Sequence, residues 1–207
     1  PATSSAASDV YKRQLLAGQL IENGIQARSL MAWQIPIITE GQHKYSRIKY
    51  IYKKRILKLL NAGIVPVIAG FQGINKDLKI TTIGRGGTDA SAIMFAKFFK
   101  ADRCVIYTDV EGVFTTDPNK LKKAKKIKNI SYEEMLEMAS LGSKVMQPHS
   151  IQDARLNRIN IEVKSSFLNK LGTLITKKKN IINNKIITGI SSTENDSKIT
   201  LPVSYKH

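Results

Sequence analysis

An α/β fold built on a mainly parallel sheet is predicted for this 207-residue chain by three observations. Helix-period and strand-period segments alternate along the sequence, the pattern of a sheet covered by helices. "IVPVIAGF" is a continuous apolar run, as expected of a strand buried on both faces. Between a strand-like run (Ile80, Thr82) and a helix-like run (Ile93, Ala96, Phe99) stand Gly84, Arg85, Gly86, Gly87, Thr88 and Asp89, a glycine-rich turn at the mouth of a helix.

The elements follow in order. Leu15–Asn23 reads as a helix closed by Gly24, which is suited to a C-cap. Lys49–Asn61 has apolar Ile51, Ile56, Leu57 and Leu60 at helical spacing and stops at Gly63. "IVPVIAGF" follows as a strand, and after the glycine turn come a helix over Ala90–Lys100 and the strand "CVIYTD". Ser131 and Glu134 form a capping box ahead of "MLEMASL". "NIEVKSSF" supplies one more strand. The glycine turn thus sits inside a strand, crossover helix, strand unit, which is right-handed in nearly all sheets.

Composition excludes several classes. No apolar run approaches the roughly eighteen residues of a membrane span, so no membrane partner is expected. Cys104 is the only cysteine. Its place in "RCVIYTD" suits a buried thiol, excludes a disulfide framework and fits a reducing, cytoplasmic compartment. The net charge of +17 raises the question of nucleic acid. The lysines lie in the surface-type runs "YKKRILK", "KLKKAKKIKN" and "TKKKN" without aromatic platforms, so only non-specific polyanion contact is expected.

The glycine turn carries the chemistry. In open α/β sheets, ligands bind beyond the carboxyl ends of strands, where helix N-termini present amides and partial positive charge. Glycines allow an anion to approach the backbone closely. Thr88 or Asp89 as a plain cap would account for part of the motif. A cap needs no arginine, however, and the Arg85 guanidinium suits bidentate capture of a carboxylate.

"VPVIAGFQG", "TTIGRGGTDASA", "DRCVIYTDVEGVFTTDP", "ISYEEMLEMASLGSKVMQP" and "GTLI" stand in the order and near-spacing of the aspartokinases, a branch of the amino-acid kinases. The resemblance runs from about Leu15 to Ile175. It implies a three-layer αβα kinase domain that uses ATP with Mg²⁺ to phosphorylate the β-carboxylate of L-aspartate, followed by a regulatory ACT module. It also implies a homo-oligomer controlled by an amino-acid effector, lysine or threonine. Arg85, Gly86, Gly87 and Thr88 match the loop that holds aspartate, with threonine where relatives mostly carry serine. Asp89 matches the acid that orients catalytic lysines, and Lys144 in "LGSKVMQP" resembles the lysine that contacts nucleotide phosphates. Thr108, Asp109, Phe114, Thr115, Thr116, Asp117, Pro118 and Asn119 match the nucleotide loop, with no metal ligand among them. Asn119 stands where arginine is usual, and Glu111 where aspartate is usual. His149 is expected to be structural or solvent-facing.

Residues 1–14 resemble a translated sequencing adaptor, and the protein's own sequence is expected to begin near Leu15. Residues 15–176 are then expected to form the kinase domain, 177–184 a linker and 185–207 the beginning of the ACT module. The family's opening phosphate loop of the type K-F-G-G-T-S has no counterpart, and the 207-residue chain is expected to be a piece cut at both ends and inactive alone. Two alternatives share parts of the pattern. Uridylate kinases and glutamate 5-kinases share "TDVEGVFTTDP" but need a different acceptor loop from "GRGGTD". A non-catalytic regulatory or polyanion-binding chain would carry mostly ACT sequence.

Overall fold

The computed structural model describes residues 2–43, 45–84, 86–143, 145–178 and 187–191, the first eight of these by backbone alone. Helix α1 (Ala2–Glu22) leads into strands β1 (Ala27–Leu30), β2 (Ile37–Glu40) and β3 (Arg47–Ile51), then α2 (Lys53–Asn61) and β4 (Val65–Ile68). Strands β5 (Gln72–Ile74) and β6 (Ile80–Thr82) precede α3 (Gly87–Phe99) and β7 (Cys104–Thr108). The chain continues through β8 (Asn129–Ser131), α4 (Tyr132–Ser140), α5 (Pro148–Asn157), β9 (Ile161–Ser165) and β10 (Thr173–Thr176).

The strands form three sheets, ordered β1-β4, β3-β2-β5-β6 and β7-β9-β10-β8. Four ladders are parallel (β1 with β4, β2 with β5, β7 with β9, β8 with β10) and three antiparallel (β2 with β3, β5 with β6, β9 with β10). The architecture is therefore α/β with mixed sheets, less uniformly parallel than expected. Two corrections explain the difference. The helix expected over Lys49–Asn61 starts at Lys53, because "RIKYI" buries Ile48 and Ile51 as a strand against β2, around a bulge between Ile38 and Thr39. The expected crossover unit is also broken, since β6 and β7 belong to different sheets. Strand β6 folds back on β5 through a turn in which the Asn75 side-chain oxygen accepts from the amides of Asp77 and Lys79.

Helix α3 joins two cores. Its Ile93 and Ala96 pack with Ile106, Ile130, Met135, Ile151, Ile161 and Val163 beside the β7-β9-β10-β8 sheet. Its Met94, Phe95, Phe98 and Phe99 pack on a second core built from Leu30, Ile35, Ile37, Ile51 and Ile56. A helix with apolar residues on both faces is stable only when covered on both. The glycine turn is thereby attached to a helix packed into both cores.

Strand β4 is less enclosed than its apolar sequence predicts, with Val65 40% exposed. It pairs with β1, carries α1 and α2, and is separated from α3 and β7 by a cavity of about 450 Å³ that Pro66, Ile68, Phe95, Phe99 and Cys104 help to line. Helix α1 runs without a break through residues 2–22, and its Arg13 guanidinium donates to the Ser29 hydroxyl. No helix among the described residues is long and apolar enough to cross a membrane.

Candidate active site

The glycine turn closes on itself before it opens into α3. The Gly87 amide donates to the Gly84 carbonyl at 3.0 Å, and Gly86, the N-cap, sits at φ 70° in the left-handed region. A Cβ on Gly86 would lie 2.5 Å from Gln147 Cγ and 3.2 Å from His149 Cε1, while one on Gly87 would meet the Phe71 ring at 2.9 Å. Gln147 is the N-cap of α5, with Pro148 at the first helical position. The N-caps of α3 and α5 are therefore in contact, and neither receives a side-chain capping bond. The Ser150 hydroxyl also reaches the Gly86 carbonyl, at 3.4 Å. Two helix N-termini that converge without side-chain caps form a region of positive potential suited to an anion.

Ser91 fixes the turn from below. Its buried hydroxyl donates to the Gly87 carbonyl at 2.7 Å and accepts from the Phe71 amide at 3.1 Å. Gly70 lets the end of β4 approach the helix, because a Cβ there would stand 3.1 Å from Thr88 Cγ2 and 3.3 Å from Thr88 Cα. Thr88 itself is exposed beside this contact. Asp89, in the first turn of α3, is half-buried, and burial raises its carboxyl above the ordinary value while the charge of His149 opposes the shift. Burial, then the Asp89 carboxylate, pushes the Cys104 thiol up to about 11, so that cysteine is an inert core group. His149 is exposed, and its charge also opposes a burial-driven rise at Asp153 one turn along α5.

Arg85 and Lys144, the two cations of the expected site, lie outside the described residues. Their neighbours are described. Gly84 and Gly86 flank Arg85 in the turn, and Lys144 falls between α4 and the Gln147 that touches Gly86.

The second cluster is the loop after β7. The Thr108 hydroxyl and the Val110 backbone form a closed turn, with both contacts at 3.0 Å, and Asp109 is exposed at its tip. Gly112, at φ 145°, passes so close to Thr173 that a Cβ would meet its hydroxyl at 2.6 Å. Buried Thr173 accepts from the Val113 amide at 2.9 Å and donates to the Ile127 carbonyl at 2.6 Å. Half-buried Phe114 bridges to Lys126, and the Thr115 amide and hydroxyl are both bonded to Lys125. The Asp117 side chain accepts from the Asn119 amide at 2.9 Å, which shapes an exposed turn over Asp117, Pro118 and Asn119 beside half-buried Thr116. Glu111 ion-pairs with Lys126 and Lys170, each at 3.6 Å.

A scan for known families matches the amino acid kinase family over residues 11–165. The chain belongs to the amino acid kinase family. The match begins at Tyr11, within the segment set aside as adaptor-like. Among curated relatives, the chain is 44% identical over 197 residues to an aspartokinase of Rickettsia felis, covering 95% of this chain and 49% of that protein. It is 43% identical over 187 residues to an aspartokinase of Geobacillus stearothermophilus, covering 90% of this chain and 46% of the relative. The chain thus spans about half the length of the curated relatives it matches. Among solved structures, aspartokinase III of E. coli, crystallised with aspartate and ADP, superposes with a TM-score of 0.72 at 32% identity, over 80% of this chain and 38% of that one. The same enzyme has also been crystallised with lysine and aspartate.

Three supporting residues were not singled out from the sequence. Ser91 was legible as a hydroxyl four residues after Gly87 inside an apolar helix. Gly70 ends the apolar strand where a helix must approach. Thr173 had only the signal of a hydroxyl in a short apolar run, which is weak, since strands tolerate threonine everywhere.

Proposed function

We propose that this chain is the catalytic module of an aspartate kinase, transferring the γ-phosphoryl group of ATP to the β-carboxylate of L-aspartate to give 4-phospho-L-aspartate. The observation that carries the reading is the contact between the N-caps of α3 and α5, which gathers the "GRGGTD" turn and the end of the "LGSKVMQP" loop around one anion-binding corner. Phosphoryl transfer asks for positioning and charge stabilisation more than for covalent help, and two converging helix N-termini suit that demand.

In this mechanism Arg85 takes a substrate carboxylate in a bidentate pair, while the backbone at Gly86 and Gly87 and the Thr88 hydroxyl orient it. Lys144 directs its charge at the transferring phosphate, and Asp89 holds cationic partners in place from a half-buried position. Thr108, Asp109, Phe114, Thr115, Thr116, Asp117, Pro118 and Asn119 receive the nucleotide. Mg²⁺ supplies charge neutralisation on the phosphates when bound. The ion would be carried in on the nucleotide with its waters, as is usual for Mg²⁺ at phosphate sites.

The finer architecture belongs to the same proposal: a three-layer αβα domain over 15–176, a linker over 177–184 and an ACT module beginning at 185–207, apart from 187–191 outside the described residues. So do a cytoplasmic homo-oligomer, inhibition by lysine or threonine, and a place at the head of the biosynthesis of aspartate-derived amino acids. The crystallised complexes of the E. coli enzyme with aspartate, ADP and lysine support the substrate, nucleotide and effector parts of this reading.

The test is Arg85→Ala in a chimera that carries residues 15–191 in the frame of the Geobacillus stearothermophilus relative. Loss of a bidentate charge-assisted contact should lower kcat/KM for aspartate by about a hundredfold while changing KM for ATP little. Unchanged aspartate kinetics would remove Arg85 from the site.

A further inference from the structure

Residues 187–191 lie against the loop after β7, and they are bonded there on two sides. The Ile190 amide donates to the Thr115 carbonyl at 2.7 Å. The Thr188 hydroxyl donates to Glu134 Oε1 at 2.6 Å, and the other oxygen of that carboxylate receives the Ser131 amide and hydroxyl of the α4 capping box. Gly189 lies so close between them that a Cβ would stand 3.0 Å from Met138 Cε and 3.1 Å from the Thr115 carbonyl oxygen.

The bonds do more than fasten a passing segment. Thr115 is the residue through which the loop is paired to Lys125, by its amide and by its hydroxyl. Its carbonyl takes no part in that pairing and accepts from the Ile190 amide. Glu134 is the N3 residue of α4, the helix whose far end leads to Lys144 and the α5 N-cap. One short segment therefore ties the loop after β7 to the helix that precedes the phosphate corner. The side chains of Ile187 and Ile190 remain exposed, so apolar burial contributes little to the attachment and the hydrogen bonds and close fit determine it.

We propose that Thr188, Gly189 and Ile190 form a strap that positions the 114–121 loop for nucleotide, with Glu134 and Thr115 as its anchor points. The strap rests on the reading of that loop as the nucleotide loop, since its role is to hold in one geometry the turn that meets the ligand. Thr188, Gly189 and Glu134 are positioning residues, acting through Thr115 and α4 without touching the reacting groups.

Hydrogen–deuterium exchange on the 207-residue chain, with MgADP titrations on the same samples, tests this. Thr188→Val removes the bond at constant shape, Thr188→Ser restores it, and Gly189→Val wedges the strap off Met138 and Thr115. Loss of one bond to a carboxylate should raise exchange of the Thr115, Lys120, Leu121, Ala124 and Lys125 amides about tenfold in the Val variants. Core amides of β7 and β9 should keep their protection, Thr188→Ser should match the parent, and MgADP should bind about three- to tenfold more weakly. Unchanged loop exchange in both Val variants would overturn the strap, as would a uniform rise that includes the core. If neither the parent chain nor the chimera bearing residues 15–191, which carries the relative's phosphate loop, binds MgADP, the nucleotide reading of the loop fails alone, and the exchange arm still decides whether the strap positions it.

Discussion

Gly86→Ala isolates the contact on which the site depends. Gly86 and Gly63 share nearly the same backbone, at φ 70° and 71°, but differ in surroundings. A methyl on Gly63 meets nothing within 4 Å, whereas one on Gly86 would overlap Gln147 Cγ at 2.5 Å and Gln147 Cβ at 2.9 Å. Gly63→Ala should therefore carry only the left-handed backbone cost, about 1–2 kcal/mol. Gly86→Ala should carry that cost plus overpacking of about 1–3 kcal/mol, because the Cβ of Gln147 belongs to the rigid N-cap of α5 and cannot swing away. For a chain of this size the excess corresponds to roughly 2–4 °C of melting temperature per kcal/mol. Urea titrations of the two variants, read by far-UV circular dichroism, give the difference directly. Gln147→Gly added to Gly86→Ala should recover part of the excess, a coupling that independent sites would not show. If Gly86→Ala costs no more than Gly63→Ala, the two helix N-termini do not meet and the anion corner is misdrawn.

Other consequences concern charge and the buried hydroxyl. Burial raises the Asp89 carboxyl, so the folded state holds its proton more tightly than the unfolded chain. The associated stability is fully present below the unfolded value of about 3.9 and is lost as pH rises through the folded one. Asp89→Asn should accordingly melt higher than the parent at pH 7 and match it near pH 3, while lowering kcat in the chimera about a hundredfold; thermal scans at both pH values with parallel kinetics check the pair. Thr173→Val should cost about 1–3 kcal/mol by leaving the buried Val113 amide without its acceptor, measurable in the same urea titrations. The +17 charge should give duplex DNA binding that is weak, indifferent to sequence and steeply salt-dependent, which anisotropy titrations at two salt concentrations would read; tight, selective binding would revive a nucleic-acid role.

The long, strongly patterned features were legible in the sequence. The capping box at Ser131 and Glu134, the strands "CVIYTD" and "NIEVKSSF" and the helix after "GRGGTD" all stand where periodicity and capping chemistry put them. The strand-like run at Ile80 and Thr82 was legible too, but most other short strands were not. β2, β5 and β8 are three or four residues long, too short for alternation to be distinguished from chance, and "RIKYI" shares its Ile48 and Ile51 spacing with a helical face. The sheet to which each strand belongs was equally hidden, because β6 turns back on β5 through Asn75 and a left-handed Leu78, choices that local sequence permits without dictating. At the site, the glycine turn announced itself through residue types that a plain cap does not need. Its partner, the α5 N-cap at Gln147, was silent, since a glutamine before a proline carries no sign of the element it will face.

The acceptor decides the account. In the chimera bearing residues 15–191, ADP release is measured with L-aspartate, L-glutamate and UMP offered separately at equal concentration. The proposed function predicts ATP-dependent turnover with aspartate and almost none with the other two, because "GRGGTD" is the acceptor loop and comes from this chain. Turnover with glutamate or UMP in preference to aspartate, or a folded chimera that binds MgADP and phosphorylates none of the three, would contradict it.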